Sequence, residues 1–327
     1  MNIKVIMRSV TFQQILDSRL RQHGFSSELI DMDKPLASQL TNAEVIVNGF
    51  AKIDKSLIDQ CPSLQLVHQA GIGYDNIDVA YCKSKSILVA NVPLANSISV
   101  AEHALFLMML LAKNLTQKEA DRPAGASTGG TAMMKRRSPT VMGVELYGKT
   151  LLIIGLGASG SEVAKRAKSL GMKVIGITKD PVAPGKEKLF FADEIKGPND
   201  LRELIPQADF ISLHVPLNDE TRGLISDKEF ELMKKSAFLV NVARAPIVDR
   251  EVLFAALNQK NIAGAAFDVF WEEPPSPDDK LLKLENFVLT PHIAGWTKES
   301  VDAIAGVIAS NIVRVADGKT PLTLVSP

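Results

Sequence analysis

The chain has 327 residues and carries 37 lysines plus arginines against 37 acids. That length suits about two domains, and the charge balance implies no general attraction to nucleic acid or an anionic membrane. Its two cysteines, Cys61 and Cys82, make no disulfide framework or metal cluster and read as reduced thiols of a cytoplasmic protein.

The N-terminus, MNIKVIM, enters a short strand-like run directly, without the long apolar core of a targeting signal. Further short apolar runs follow at 45–47, 64–68 and 87–91. SISVAEHALFLMMLLAKNL (97–115) then reads as a buried helix capped by Ser97, and its unbroken apolar part, 104–112, is too short to span a bilayer. Residues 121–139, rich in Gly, Ser, Thr and Pro, read as a linker, with Lys135-Arg136-Arg137 a solvated stretch of it.

Beyond residue 145 the pattern resumes with TLLIIG (150–155), KVIGI (173–177), DFISLHV (209–215), AFLVNV (237–242), IAGAAFDVF (262–270) and FVLT (287–290). Between these lie stretches such as 161–170 and 250–260, where apolar residues recur every three or four positions. Continuous Val/Ile/Leu runs mark strands covered on both faces, and their alternation with helices predicts doubly wound parallel α/β sheets. A last helix, about 297–317, is expected to return to the first domain. The expected division is residues 1–100 with 296–327 as one domain and 101–295 as the other.

TLLIIGLGASGSEVAKRA places Gly155, Gly157 and Gly160 between a buried strand and a helix, the context in which G-x-G-x-x-G holds a dinucleotide. Gly155 suits the tight turn, Gly157 lets backbone approach a pyrophosphate, and Gly160 suits close helix–strand packing. An NAD site would place an acid at the end of the second strand. Here KVIGITKDP places Thr178 there, followed by Lys179 and then Asp180. Thr178 adds no charge against a 2′-phosphate and Lys179 offers one to pair with it, so the reading leans to NADP(H). The alternative is that Lys179 points to solvent while Asp180 reaches an NAD ribose.

Three later strands end in groups that serve proton and hydride chemistry. NVAR ends with Arg244, whose planar fork suits a carboxylate or carbonyl oxygen. DVFWEEP supplies Glu272 and Glu273, and LTPH supplies His292, able to exchange a proton with a carbonyl oxygen while hydride moves. A carboxylate beside that imidazole would favour its protonated form.

With these residues in order, the chain resembles the D-isomer-specific 2-hydroxyacid dehydrogenase family, which includes glyoxylate/hydroxypyruvate reductases and phosphoglycerate dehydrogenases. HQAGIGYDNID (68–78), NVPLANSISVAEHALFLM (91–108), GLGASG, SLHVPL (212–217), NVARAPIVD (241–249), AAFDVFWEEPP (265–275) and TPHIAGWT (290–297) follow in the family's order. The resemblance implies two Rossmann-like domains with the active site in the cleft between them, usually in a homodimer. It implies an Arg244–Glu273–His292 catalytic set, choosing Glu273 over Glu272, and a substrate carboxylate received by the N–H groups of Ile72 and Gly73. It places His214, Val215, Pro216, Val242 and Ala243 along the cofactor and Asp268 near the nicotinamide amide.

The chain departs from the family at Ala158-Ser159, where Arg-Ile is frequent, so the Ser159 hydroxyl is the expected phosphate contact there. It departs again at Ala245, where Gly is usual, and over loop 122–140. The function implied is hydride transfer between NAD(P) and a small 2-oxo/2-hydroxy acid, with Phe50, Tyr74 and Trp296 as candidate pocket walls. The alternative is a nucleotide-sensing interaction protein, like the transcriptional corepressors built on this fold.

Overall fold

A computed structural model describes residues 1–115, 142–179 and 190–325. The stretch 121–139 with Lys135-Arg136-Arg137, the loop 122–140, and Asp180 lie outside the described residues. The chain divides into two compact units, Met1–Asn96 with Trp296–Pro327, and Ser97–Gly295.

In the first unit, strands β1 (Ile3–Ile6), β2 (Ser27–Leu29), β3 (Val45–Asn48), β4 (Leu66–Gln69) and β5 (Leu88–Ala90) form one sheet. All its pairings are parallel, in the order β2-β1-β3-β4-β5. Its apolar strands feed two cores in alternation: Ile3 and Val5 face one, Ile6 the other. The helix Lys298–Ala316 belongs to this unit and buries Val301, Ile304, Ala305, Ile308 and Ile312 in the core shared with Phe12, Leu16 and Leu20. Thr297 caps it, its hydroxyl accepting from the Ser300 N–H at 3.2 Å.

The second unit holds β6 (Thr150–Ile154), β7 (Lys173–Ile177), β8 (Glu194–Lys196), β9 (Phe210–Leu213), β10 (Phe238–Asn241), β11 (Gly264–Phe267) and β12 (Phe287–Leu289). Their order is β12-β11-β10-β9-β6-β7-β8, again parallel throughout. Leu152 and Ile154 face one core and Leu151 and Ile153 the other, which is why β6 carries no polar alternation. Both units are therefore α/β with parallel sheets. The edge strands β2 and β8, with sequences SEL and EIK, lie only half under cover and so lack the apolar run that reveals the others.

One expectation needs correction. The helix spans Ser97–Ala112, starting at Ser97 itself, and is not buried all round. Ala101, Ala104, Met108 and Leu111 pack with Ile153, Val240 and Ala266, whereas Ile98 and Phe106 are more than half exposed. An evenly apolar helix carries no sequence signal of which face meets the sheet.

Candidate active site

Because the second unit's strands are all parallel, their carboxyl ends share one edge of the sheet. Reading along the sheet from β12, that edge carries His292, then Asp268 and Glu273, Arg244, His214, the glycine turn, and Thr178 with Lys179. The strand order reverses between β6 and β9, the switch point where such sheets open a crevice for ligands.

The glycine turn sits at that point. Gly155 has φ +102°, and a Cβ there would lie 2.6 Å from the His214 carbonyl carbon. At Gly160 a Cβ would meet the Gly155 carbonyl oxygen at 2.1 Å, so the helix Ala158–Ser169 approaches the turn only because that atom is missing. A Cβ at Gly157 would meet nothing within 4 Å. Gly157 is also the N-cap of that helix and supplies no side-chain cap. An uncapped helix start beside an open glycine fits a pyrophosphate.

At the far end of β7, the Thr178 N–H donates to the Lys196 carbonyl at 3.1 Å. Lys179 Nζ lies 2.6 Å from Glu220 Oε2, both side chains being exposed. Glu220 belongs to the loop after β9, and nothing in the local sequence marks it as a partner of Lys179.

Ser159 is engaged as well. Its hydroxyl lies 3.2 Å from His214 Nδ1, and the Ser212 hydroxyl lies 2.8 Å from Nε2 of the same ring. Desolvation pulls the His214 pKa down to about 4, so the ring is neutral near pH 7, with one donor and one acceptor to match the two hydroxyls. Val215 and Pro216 continue from it, at the mouth of the switch point.

The groups beyond β10, β11 and β12 converge. His292 Nδ1 lies 2.8 Å from Glu273 Oε2, while Oε1 of the same carboxylate accepts from the Phe270 N–H at 2.9 Å. Burial works against the Glu273 charge, but the hydrogen bond and charge of His292, the Phe270 N–H and the charge of Arg244 outweigh it and hold its pKa below the ordinary value. Arg244 is set by its own strand end. Asn241, fully buried, accepts from the Ala243 N–H at 3.0 Å and donates to the Arg244 carbonyl at 3.0 Å. This bends the chain over Val242 and Ala243 so that Arg244 leaves β10 at its end, and Ala245 is accommodated as a buried residue opening a short 3₁₀ turn.

Asp268 is only 1 % exposed and accepts from the Thr290 hydroxyl at 2.5 Å and from the N–H groups of Ile293 and Ala294 at 3.0 and 2.7 Å. His103, from the helix Ser97–Ala112, places Nε2 2.9 Å from the Thr290 hydroxyl. Sequence reasoning missed both Thr290 and His103. The available signal was a titratable residue, His103, at the start of an otherwise apolar stretch.

In the first unit, Ile72 and Gly73 lie in the loop after β4, which is held at its base by the Asn91 side chain donating to the Ile72 carbonyl at 2.9 Å. Among the described residues no hydrogen bond uses the N–H of Ile72 or Gly73. Phe50, Tyr74 and Trp296 are exposed in this unit, and Trp296 packs against Phe12 with ring centroids 6.4 Å apart.

Fold and strand-end chemistry together define a protein with a Rossmann-type dinucleotide-binding unit and a second parallel α/β unit. Residues 105–294 match the family model for the D-isomer specific 2-hydroxyacid dehydrogenase NAD binding domain, and the chain belongs to that family. It is 40 % identical over 288 residues to a D-3-phosphoglycerate dehydrogenase of Methanocaldococcus jannaschii, covering 87 % of this chain and 52 % of that one. It is 37 % identical over 279 residues to a glyoxylate reductase of Thermococcus litoralis, covering 84 % and 81 %. The crystal structure of an Aquifex aeolicus D-lactate dehydrogenase, complexed with NAD and lactic acid, superposes with a TM-score of 0.81 at 28 % identity, over 97 % of this chain and 96 % of that one. The chain thus spans about half the length of the phosphoglycerate dehydrogenase and four fifths of the glyoxylate reductase.

Proposed function

We propose that this protein is an NAD(P)-dependent D-2-hydroxyacid dehydrogenase that reduces a small 2-oxo acid of the glyoxylate or hydroxypyruvate kind. The observation that carries the reading is the 2.8 Å contact of His292 Nδ1 with Glu273, beside Arg244. With Nδ1 held by the Glu273 carboxylate, Nε2 is the ring atom left to give a proton to the substrate carbonyl oxygen, or to take it back in reverse. The Arg244 guanidinium orients the carbonyl and carboxylate by its planar fork. A nicotinamide cofactor held at the glycine turn would supply the hydride. The residues at the ends of β9 and β10 would line its path, with the buried Asp268 near the nicotinamide amide.

In this reading Ser97–Gly295 is the dinucleotide-binding unit, and Met1–Asn96 with Trp296–Pro327 carries the substrate loop, where the N–H groups of Ile72 and Gly73 receive the substrate carboxylate. Thr178 and Lys179 favour NADP(H), since neither repels a 2′-phosphate. The exposed Ile98 and Phe106 face suits a homodimer contact, and the free buried thiols Cys61 and Cys82 suit the reducing cytoplasm. The named relatives are dehydrogenases and a reductase, and none of them supports the nucleotide-sensing alternative.

The deciding experiment is a panel of 2-oxo acids, glyoxylate, hydroxypyruvate, pyruvate and 3-phosphohydroxypyruvate among them, assayed separately with NADH and NADPH. Oxidation of either nucleotide by at least one acid is expected. No turnover with any acid and either nucleotide would refute the proposal.

A further inference from the structure

We infer that His103 is a positioning residue for His292, acting through Thr290 and Asp268. The inference rests on the acid–base reading of His292 given above.

His292 sits at φ +55°, in the left-handed region that a non-glycine residue occupies only when its surroundings hold it there. One carboxylate braces the chain on both sides of it. Asp268 takes the hydroxyl of Thr290, two residues before His292, and the N–H groups of Ile293 and Ala294, immediately after it. The loop that presents the imidazole is thus tied on both sides of His292 to a single buried group.

His103 decides whether that tie is complete. The Thr290 hydroxyl has one proton and two acceptors in reach, Asp268 Oδ1 at 2.5 Å and the Phe267 carbonyl at 3.5 Å. With the proton donated to Asp268, a lone pair of the hydroxyl is left for His103, so Nε2 carries hydrogen and donates across 2.9 Å. The same Nε2 lies 3.3 Å from Asp268 Oδ1. His103 therefore bridges Thr290 and Asp268. Without it the Thr290 hydroxyl and the Asp268 carboxylate each lose a partner on the side that faces His292's loop.

His103 also touches Phe106, with ring centroids 5.7 Å apart, so a purely packing role is the rival explanation. The two differ in what a substitution changes. Packing loss lowers stability and cofactor affinity together with turnover, whereas mispositioning lowers kcat alone.

The test measures kcat, KM for glyoxylate, Kd for NADH and NADPH, and Tm. His103→Ala and Thr290→Val are each expected to lower kcat roughly 10–100-fold, the order a small misplacement of a reacting group costs, with nucleotide Kd little changed and, for His103→Ala, Tm little changed as well. Thr290→Val, which takes a donor from the buried Asp268, is also expected to lower Tm. His103→Gln, whose amide N–H reaches as Nε2 does, and Thr290→Ser, which keeps the hydroxyl, are expected to restore most of the turnover. The double variant His103→Ala/His292→Gln is expected to be no slower than His292→Gln alone, because His103 acts through His292. Wild-type kcat in His103→Ala, equal losses in nucleotide affinity and kcat, or additive losses in the double variant would overturn the inference while leaving the role of His292 intact. Full activity in His292→Gln would instead remove the acid–base reading, and this inference with it.

Discussion

Lys179 and Glu220 form an ion pair across the end of β7, Nζ to Oε2 at 2.6 Å, with both side chains largely in solvent. The cation that would meet a 2′-phosphate is thus shared with an acid from the loop after β9. An exposed pair of this kind is a weak tie, so a dianionic phosphate competes for the lysine but must also tolerate the nearby carboxylate. Glu220→Gln is therefore expected to raise the NADPH-over-NADH ratio of kcat/KM several-fold, and Lys179→Ala to lower it. Thr178→Asp is expected to lower it further, by like-charge repulsion against the phosphate. NADPH use unaffected by Lys179→Ala would show that the lysine serves only the surface.

The three glycines of the turn should separate by phenotype. Gly160→Ala places a Cβ 2.1 Å from the Gly155 carbonyl oxygen, a backbone atom that cannot move aside cheaply. That variant is expected to lose several degrees in Tm or to fail to accumulate. Gly157→Ala meets no atom within 4 Å, so it should fold normally and weaken nucleotide binding instead. A binding titration beside a thermal melt distinguishes the two. Unaltered nucleotide affinity in a well-folded Gly157→Ala protein would count against a pyrophosphate at this turn.

His292→Asn keeps a polar side chain but no group that cycles a proton, and it is expected to lower kcat by about 10²–10⁴-fold with little change in nucleotide Kd. Arg244→Lys keeps the charge and loses the fork, and it is expected not to restore activity. Steady-state kinetics with glyoxylate reads both. Near-normal activity in Arg244→Lys would mean that only its charge matters.

Acid stability should report two desolvated histidines, His68 and His214. His68 is fully buried, accepting from the Asn311 side chain at Nε2 and facing the Gln69 carbonyl at Nδ1, and desolvation lowers its pKa from 6.5 to about 4. His214 is lowered to about 4 in the same way. Below pH 6.5 the unfolded chain takes up protons that the folded chain refuses, so stability is full above about 6.5 and falls as pH drops toward 4. For His68 the slope is about 1.4 kcal/mol per pH unit. Denaturant melts across that window should show the fall, and His68→Asn should flatten it even if it lowers the plateau. An equally steep fall in that variant would assign the acid sensitivity elsewhere.

Much of this protein was written in local pattern. Continuous apolar runs such as TLLII and FISL cannot be half-exposed strands, because both of their faces must be covered, and so parallel sheets with helices on each side follow from the chain itself. The glycine spacing between β6 and its helix was equally legible, since the close approaches at Gly155 and Gly160 involve residues near in sequence or on the adjoining strand. Tertiary structure decided what depends on long-range register. Local pattern alone does not separate Glu272 from Glu273; the family resemblance picks Glu273, and only the fold shows it reaching His292, 19 positions on. The His103 contact to Thr290 spans 187 positions, and Glu220 meets Lys179 only because β9 and β7 flank β6 in the sheet. Such pairings are chosen by which strands lie side by side, and strand order is a property of the packed sheet that no single segment encodes.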